Sequence, residues 1–167
     1  MKTLLLFLTL SFVLIAQEDH VYKDLSSAFK NPQKVYHLKL RRKSLTQFPQ
    51  ELSSFPNLKV LDLSKNKITT IPDSLAFLSN LIKLNLSKNQ IEFIPETINE
   101  LTNLEELDLW DNFIEVLPRS LENLKSLNII DIRGVALSYT KHTNYASMLK
   151  GVNVLMSPPC NCQERKR

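Results

Sequence analysis

Glycine is almost missing from this 167-residue chain, with Gly134 and Gly151 its only two. Backbone cradles for phosphate need glycines where N–H groups approach an anion, so neither G-x-G-x-x-G nor G-x-x-x-x-G-K occurs. Histidine is scarce and scattered, at His20, His37 and His142, and no serine–histidine–aspartate or cysteine–histidine set is indicated. The carboxylates Glu106 and Asp108 fall on one strand, but an open strand should not desolvate them enough to raise a pKa for acid work. These absences argue against an enzyme, and no cofactor or metal site is expected. The net charge of +4 is mild. It keeps a protein soluble and does not by itself call for a nucleic acid partner. Long apolar runs are also lacking, apart from one at the start.

That run lies in Met1 to Ala16 and reads as a secretory signal. Lys2 supplies the positive start, Leu4 to Ile15 is apolar but for Thr9 and Ser11, and Ala16 is a small residue before Gln17, Glu18 and Asp19. As a helix it would reach only about 20 Å, against roughly 30 Å of hydrocarbon, so a cleaved signal is preferred to an anchor. The expected locations are periplasm, cell surface or the medium, with no membrane span once the signal is gone. Removal leaves a net charge of +3, since Lys2 is the only charge lost.

What the chain has in plenty is a 23-residue period. Val35, Leu58, Leu81, Leu104 and Leu127 start successive copies. The three full copies run Leu58, Leu61, Leu63, Asn66, Ile68, Ile71, Pro72; then Leu81, Leu84, Leu86, Asn89, Ile91, Ile94, Pro95; then Leu104, Leu107, Leu109, Asn112, Ile114, Leu117, Pro118. Around L-x-L the residues alternate, which is the period of a short half-buried strand, with Leu61 and Leu63 inward and Asp62 and Ser64 outward. Asn66, Asn89 and Asn112 can both donate and accept, so stacked copies can serve turn groups that no regular ladder reaches. The prolines fix φ where the chain turns. Apolar pairs three apart, such as Leu75 and Leu78, then suit one or two helical turns packed back on the strand.

A single unit cannot bury its own apolar side, so about three must stack. The outer copies are degenerate. Lys43 and Val135 stand where the inner copies have Asn, and no proline ends the last copy. Atypical end repeats are expected where one face meets water.

These residues resemble the leucine-rich repeat family in its short, roughly 23-residue class. The resemblance covers about 35–139. It implies an α/β fold: a right-handed solenoid bent into a horseshoe arc, with a parallel sheet on the concave side. It implies binding of proteins through that face, and it looks like small exported bacterial members. The expected organisation is a signal at 1–16, an N-terminal cap at 17–34, five repeats over 35–137, a C-terminal cap at 138–157 and a cysteine-containing tail at 158–167. In the first cap Val21, Leu25, Ala28 and Phe29 share one helical face, and Asn31 and Pro32 stop the helix. In the second, a helix carries Tyr145, Met148 and Leu149 inward and stops at Gly151, and a strand over Val152 to Met156 follows.

Three readings stay open for Cys160 and Cys162 in the tail. They are a loose thiol pair or disulfide, a labile redox pair, or a partial soft-metal site, since two thiolates do not close a zinc site.

The candidate partner-binding residues, on the concave face, are Tyr36, His37, Lys39, Arg41, Lys59, Asp62, Lys83, Asn85, Glu106, Asp108, Trp110 and Arg133. The first three strands read as basic and the fourth as acidic around a tryptophan. Trp110, the only Trp, reads either as an interface anchor or as a cap over its neighbours Ser87 and Arg133. Strand spacing gives a face of some 400 Å², about half of one side of a standard interface. The expected partner is a protein or peptide segment bound by a monomer. The alternative is a structural or adhesive envelope component that holds a surface polymer or matrix.

Overall fold

The computed structural model of the chain describes residues 20–135, 145 and 147–157. The signal expected at 1–16, Leu137 of the last repeat, and Cys160 and Cys162 lie outside the described residues. No helix among the described residues is long and apolar enough to cross a membrane.

Seven strands form one parallel sheet in chain order: β1 (Val21–Tyr22), β2 (His37–Lys39), β3 (Val60–Asp62), β4 (Lys83–Asn85), β5 (Glu106–Asp108), β6 (Ile129–Asp131) and β7 (Asn153–Leu155). The register follows the sequence period. Leu38, Leu61, Leu84, Leu107 and Ile130 are direct partners in turn, and Val154 of β7 follows Ile130. Each of these leucines points inward and is fully or almost fully buried.

The return path of each repeat is a 3₁₀-helix: η2 (Gln50–Ser54), η3 (Asp73–Phe77), η4 (Glu96–Glu100) and η5 (Arg119–Asn123). Pro49, Pro72, Pro95 and Pro118 cap their N-termini with φ between −65° and −78°. Each proline carbonyl accepts from the N–H three residues on, as in Leu75 to Pro72 at 3.0 Å. The proline thereby sets both φ and the first turn. Leu52, Leu75, Ile98 and Leu121 project from these turns into the same core as the strand leucines. Burying each such side chain is worth about 1.5–3 kcal/mol.

Asn66, Asn89 and Asn112 are buried and tie neighbouring copies together. The Asn89 amide donates to the carbonyls of Leu63 and Leu86, at 3.1 and 2.8 Å, and its Oδ1 accepts from the Ile68 N–H at 3.1 Å. Asn112 repeats the pattern one copy on. A second asparagine ladder runs along the other edge. Asn57, Asn80 and Asn103 donate to the carbonyls of Gln33, Pro56 and Ser79 in the copy before.

The N-terminal segment departs from the expected helical face. Val21 and Tyr22 pair with β2 as a strand, and only α1 (Leu25–Ala28) is helical, capped by Asp24, which accepts from the Ser27 N–H at 2.7 Å. The open edge of β2 offers a ladder to a β-branched residue and a tyrosine, and that pairing overrides helical spacing. Phe29 remains 42% exposed and leans on Phe55. Asn31 and Pro32 lead into a further 3₁₀ turn, η1 (Pro32–Lys34).

At the other end Tyr145 and Leu149 are buried, Gly151 takes φ +86°, and β7 adds to β6.

Candidate protein-binding face

The register sorts the outward side chains into rows that cross the strands. One row is His37, Val60, Lys83, Glu106, Ile129 and Asn153, and the next is Lys39, Asp62, Asn85, Asp108, Asp131 and Leu155. All of these but His37 and Asn153 line a shallow groove of about 330 Å³. Ile129 is the exposed apolar residue within it, and Val60 and Leu155 line it as well.

The second row is not free to vary as the period suggests. Asp62, Asn85, Asp108 and Asp131 each place Oδ1 on the N–H two residues on, at 2.9 Å to Ser64, 2.9 Å to Ser87, 3.0 Å to Trp110 and 3.1 Å to Arg133. These are Asx turns that close the chain after the strand. One side-chain oxygen of each therefore serves the fold. Lys39 holds the same row position in the first copy.

Charge along the groove is partly settled by two ion pairs. Lys83 Nζ lies 2.6 Å from Glu106 Oε1, on half-exposed side chains that gain little from pairing. Arg133 clasps the buried Asp131 through Nε and Nη2, and this holds the guanidinium pKa above its ordinary value. Asp108 sits directly across from Asp131. Burial pushes its carboxyl pKa up, against the expectation for an open strand; the Trp110 N–H opposes this and the Asp131 charge adds to it. Its flanks are covered by the neighbouring strands on both sides, which the sequence alone does not display.

Past the C-terminal ends of the strands a rim begins. Arg41, Ser64, Ser87, Trp110 and Arg133 occupy equivalent places on it, 23 residues apart. Ser64 and Ser87 are buried, and the Ser87 hydroxyl donates to Asn85 Oδ1 of the outward row at 2.7 Å. Trp110 is 38% exposed. Its ring lies between the Lys88 ammonium, 4.3 Å from the centroid, and the Arg133 guanidinium, 6.0 Å away. The packing is against Lys88 and Arg133, which fits the expected cap over neighbouring copies in part, with Lys88 in the place of Ser87.

The next rim row is Arg42, Lys65, Lys88, Asp111 and Gly134, all in the left-handed region with φ between +55° and +69°. Their backbones continue the ladder, with Arg42 N–H donating to Ser64, Lys65 to Ser87, Lys88 to Trp110 and Asp111 to Arg133.

The twelve candidate residues thus fall in three places. His37, Lys39, Asp62, Lys83, Asn85, Glu106 and Asp108 lie on the two groove rows. Tyr36 and Lys59 line a second groove, also about 330 Å³, at the N-terminal edge of the strands, with the Lys59 ammonium 5.3 Å from the Tyr36 ring. Arg41, Trp110 and Arg133 are on the rim. Asp131, Ile129 and Leu155 belong with the groove set and were outside it, although strand alternation marks them. The asparagine edge ladder was also unmarked; the recurrence of Asn57, Asn80 and Asn103 at the same period was its signal. The expected change from basic to acidic is not carried by the strands, since Asp62 already lies on β3. It is carried by the rim, where Arg42, Lys65 and Lys88 give way to Asp111. Among the described residues no group of histidine, cysteine and carboxylate side chains is placed to hold a metal ion.

A family model described as a leucine-rich repeat region matches residues 12–150. A solved leucine-rich repeat protein of Leptospira interrogans superposes with a TM-score of 0.55 at 22% identity, over 85% of this chain and 49% of that one. The crystal structure of PEPR1–AtPEP1 superposes with a TM-score of 0.55 at 29% identity, over 68% of this chain and 16% of that chain. The chain therefore spans about half of the first and a small part of the second. Among curated proteins, no sequence match was found.

Proposed function

The chain belongs to the leucine-rich repeat family, and from that premise we propose that it is an exported, non-enzymatic recognition module that binds a protein or peptide segment on the exposed face of its sheet. The observation that carries this reading is the groove over β2 to β7. Inward positions are spent on the core and turns. The groove sets exposed Ile129 beside charged groups held by Asx turns and a parallel ladder. Such a fixed mixture of apolar and polar groups suits a specific partner more than a uniform polymer.

Size narrows the partner. Seven strands at about 4.8 Å spacing make a face roughly 30 Å long, and strands of three residues make it about 10 Å across. That is less than half of one side of a standard interface, which fits an extended segment or a single loop bound by a monomer. Export rests on the Met1 to Ala16 signal pattern and places the module in the periplasm, on the surface or in the medium. The adhesive alternative would need the repeats mainly as a rigid spacer.

Crosslinking capture from the native host tests the reading, with wild type beside Ile129→Arg. Loss of the captured protein in the variant supports it. Unchanged capture, or capture of polymer alone, removes it. Fractionation of the same cells tests export, and retention of the whole chain in the cytoplasm refutes that part.

A further inference from the structure

The rim carries a feature that the groove does not use. Arg41, Arg42, Lys65 and Lys88 gather past the ends of β2 to β4, and none of them forms an ion pair among the described residues. Arg41 and Arg42 are exposed, and Lys65 and Lys88 are partly so. Arg41 chiefly, with burial, Arg42 and Lys88, pushes the Lys65 ammonium pKa below its ordinary value, so Lys65 sits amid the repulsion of the other three.

Arg42, Lys65 and Lys88 also hold left-handed φ of 55° to 58°. A residue with a Cβ is disfavoured there by about 1–2 kcal/mol, whereas glycine is at ease, and Gly134 takes the equivalent place two repeats beyond Lys88. The fold alone would thus be better served by glycine at these points. The cations stand against both backbone and electrostatic preference. The row then changes sign at Asp111, with Asp108 close by in the chain.

We propose that this cationic rim is the docking site for a short acidic segment of a partner protein, two or three carboxylates long, lying across the first three repeats and ending beside Trp110. The proposal rests on the recognition reading above and names the chemistry of its partner. Length follows from spacing: Arg42 to Lys88 spans two repeats, about 10 Å, the reach of three extended residues. A short segment fits better than a long polyanion. A uniformly charged polymer following the solenoid would run onto Asp111 after three repeats. Lys88 already lies on one side of the Trp110 ring, so a carboxylate drawn to Lys88 changes the environment of the only tryptophan.

That tryptophan supplies the readout. The purified full chain is titrated with blocked tetraglutamate while Trp110 emission is followed, with tetralysine as a control and a heparin fragment as a polymeric anion. The variant is Arg42→Gly with Lys65→Gly, which should fold at least as well because glycine suits both positions. Saturable, salt-sensitive binding of tetraglutamate, weakened about tenfold or more in the variant, supports the site. No response in wild type, equal binding by the variant, or heparin binding more than tenfold tighter than the peptide overturns it. If the variant loses tetraglutamate yet captures the same partner from the host as wild type, the acidic-segment assignment fails while recognition by the groove stands.

Discussion

The N–H of Lys43 donates to Oδ1 of Asn66, 2.8 Å away and one repeat later. Lys43 is the residue that stands where the inner copies have asparagine. The same Oδ1 accepts from the Leu45 N–H at 3.1 Å, and the Asn66 amide donates to the carbonyls of Leu40 and Leu63. The first copy can lose its own asparagine because the ladder is served from the following one. Its turn donors face Asn66, while a residue at 43 has no earlier full repeat to hold.

Asn66→Ala is therefore expected to destabilise the chain by about 2–4 kcal/mol, since several buried backbone groups lose partners together. Hydrogen exchange should quicken at Lys43 and Leu45. A loss under 1 kcal/mol in denaturant melts, with those amides still protected, would show that water replaces the side chain.

Much of the fold was legible because the apolar period dictates register. Leu61, Leu84 and Leu107 could pair only in line if all were to be buried. The strand at Val21 and Tyr22 was not legible, because its pairing depends on the edge of β2 at His37 and Leu38, beyond the reach of a local pattern. The Asx turns were hidden for a different reason. Asp62, Asn85 and Asp108 look like free outward positions, and their second role appears only when the chain bends after the strand. The rim was half legible: its charges could be read off the sequence, but their shared left-handed backbone could not.

Asp108→Asn should leave the Asx turn intact, since Asn85 makes the same bond to Ser87. It removes a charge facing Asp131 across the sheet. At pH 7 the variant is expected to match wild type or exceed it by up to about 1 kcal/mol. The raised carboxyl pKa of Asp108 means the folded chain binds that proton more tightly than the unfolded chain. Its contribution favours folding fully below the unfolded pKa and is lost as pH rises through the folded one. The advantage of the variant should accordingly shrink as pH falls through this acid range. Denaturant melts at pH 7 and pH 4 check this, and a clearly less stable variant at pH 7 would contradict it.

Gly134 has φ +69°, and a Cβ there would meet the Asp111 backbone at 3.4 Å and Trp110 Cδ1 at 3.5 Å. Gly134→Ala is expected to cost about 1–2 kcal/mol. Asp111→Gly, at the equivalent place one repeat earlier, should be neutral or mildly stabilising by the same conformational logic. Thermal melts of the two variants should move in opposite directions or leave Asp111→Gly in place. A matching loss in both would point to side-chain contacts at Asp111 as the controlling factor.

The Tyr145 hydroxyl accepts from the N–H of Leu117 at 2.9 Å in a buried setting. Tyr145→Phe should cost about 1–3 kcal/mol by leaving that donor alone. Exchange at the Leu117 amide should rise more than at Leu107, in the centre of the sheet. Uniform change across both amides would indicate global loosening instead.

Position-specific photo-crosslinking tests the recognition face most directly. A photoreactive residue is placed at Ile129 on the sheet, at Glu100 on the 3₁₀ side, or at Phe93 on the exposed strip that Phe93 and Val116 form through isolated parallel bridges. Recognition by the sheet predicts one discrete protein adduct from Ile129 in the native host and none from Glu100 or Phe93. Adducts from Phe93 or Glu100, with Ile129 silent, would contradict it.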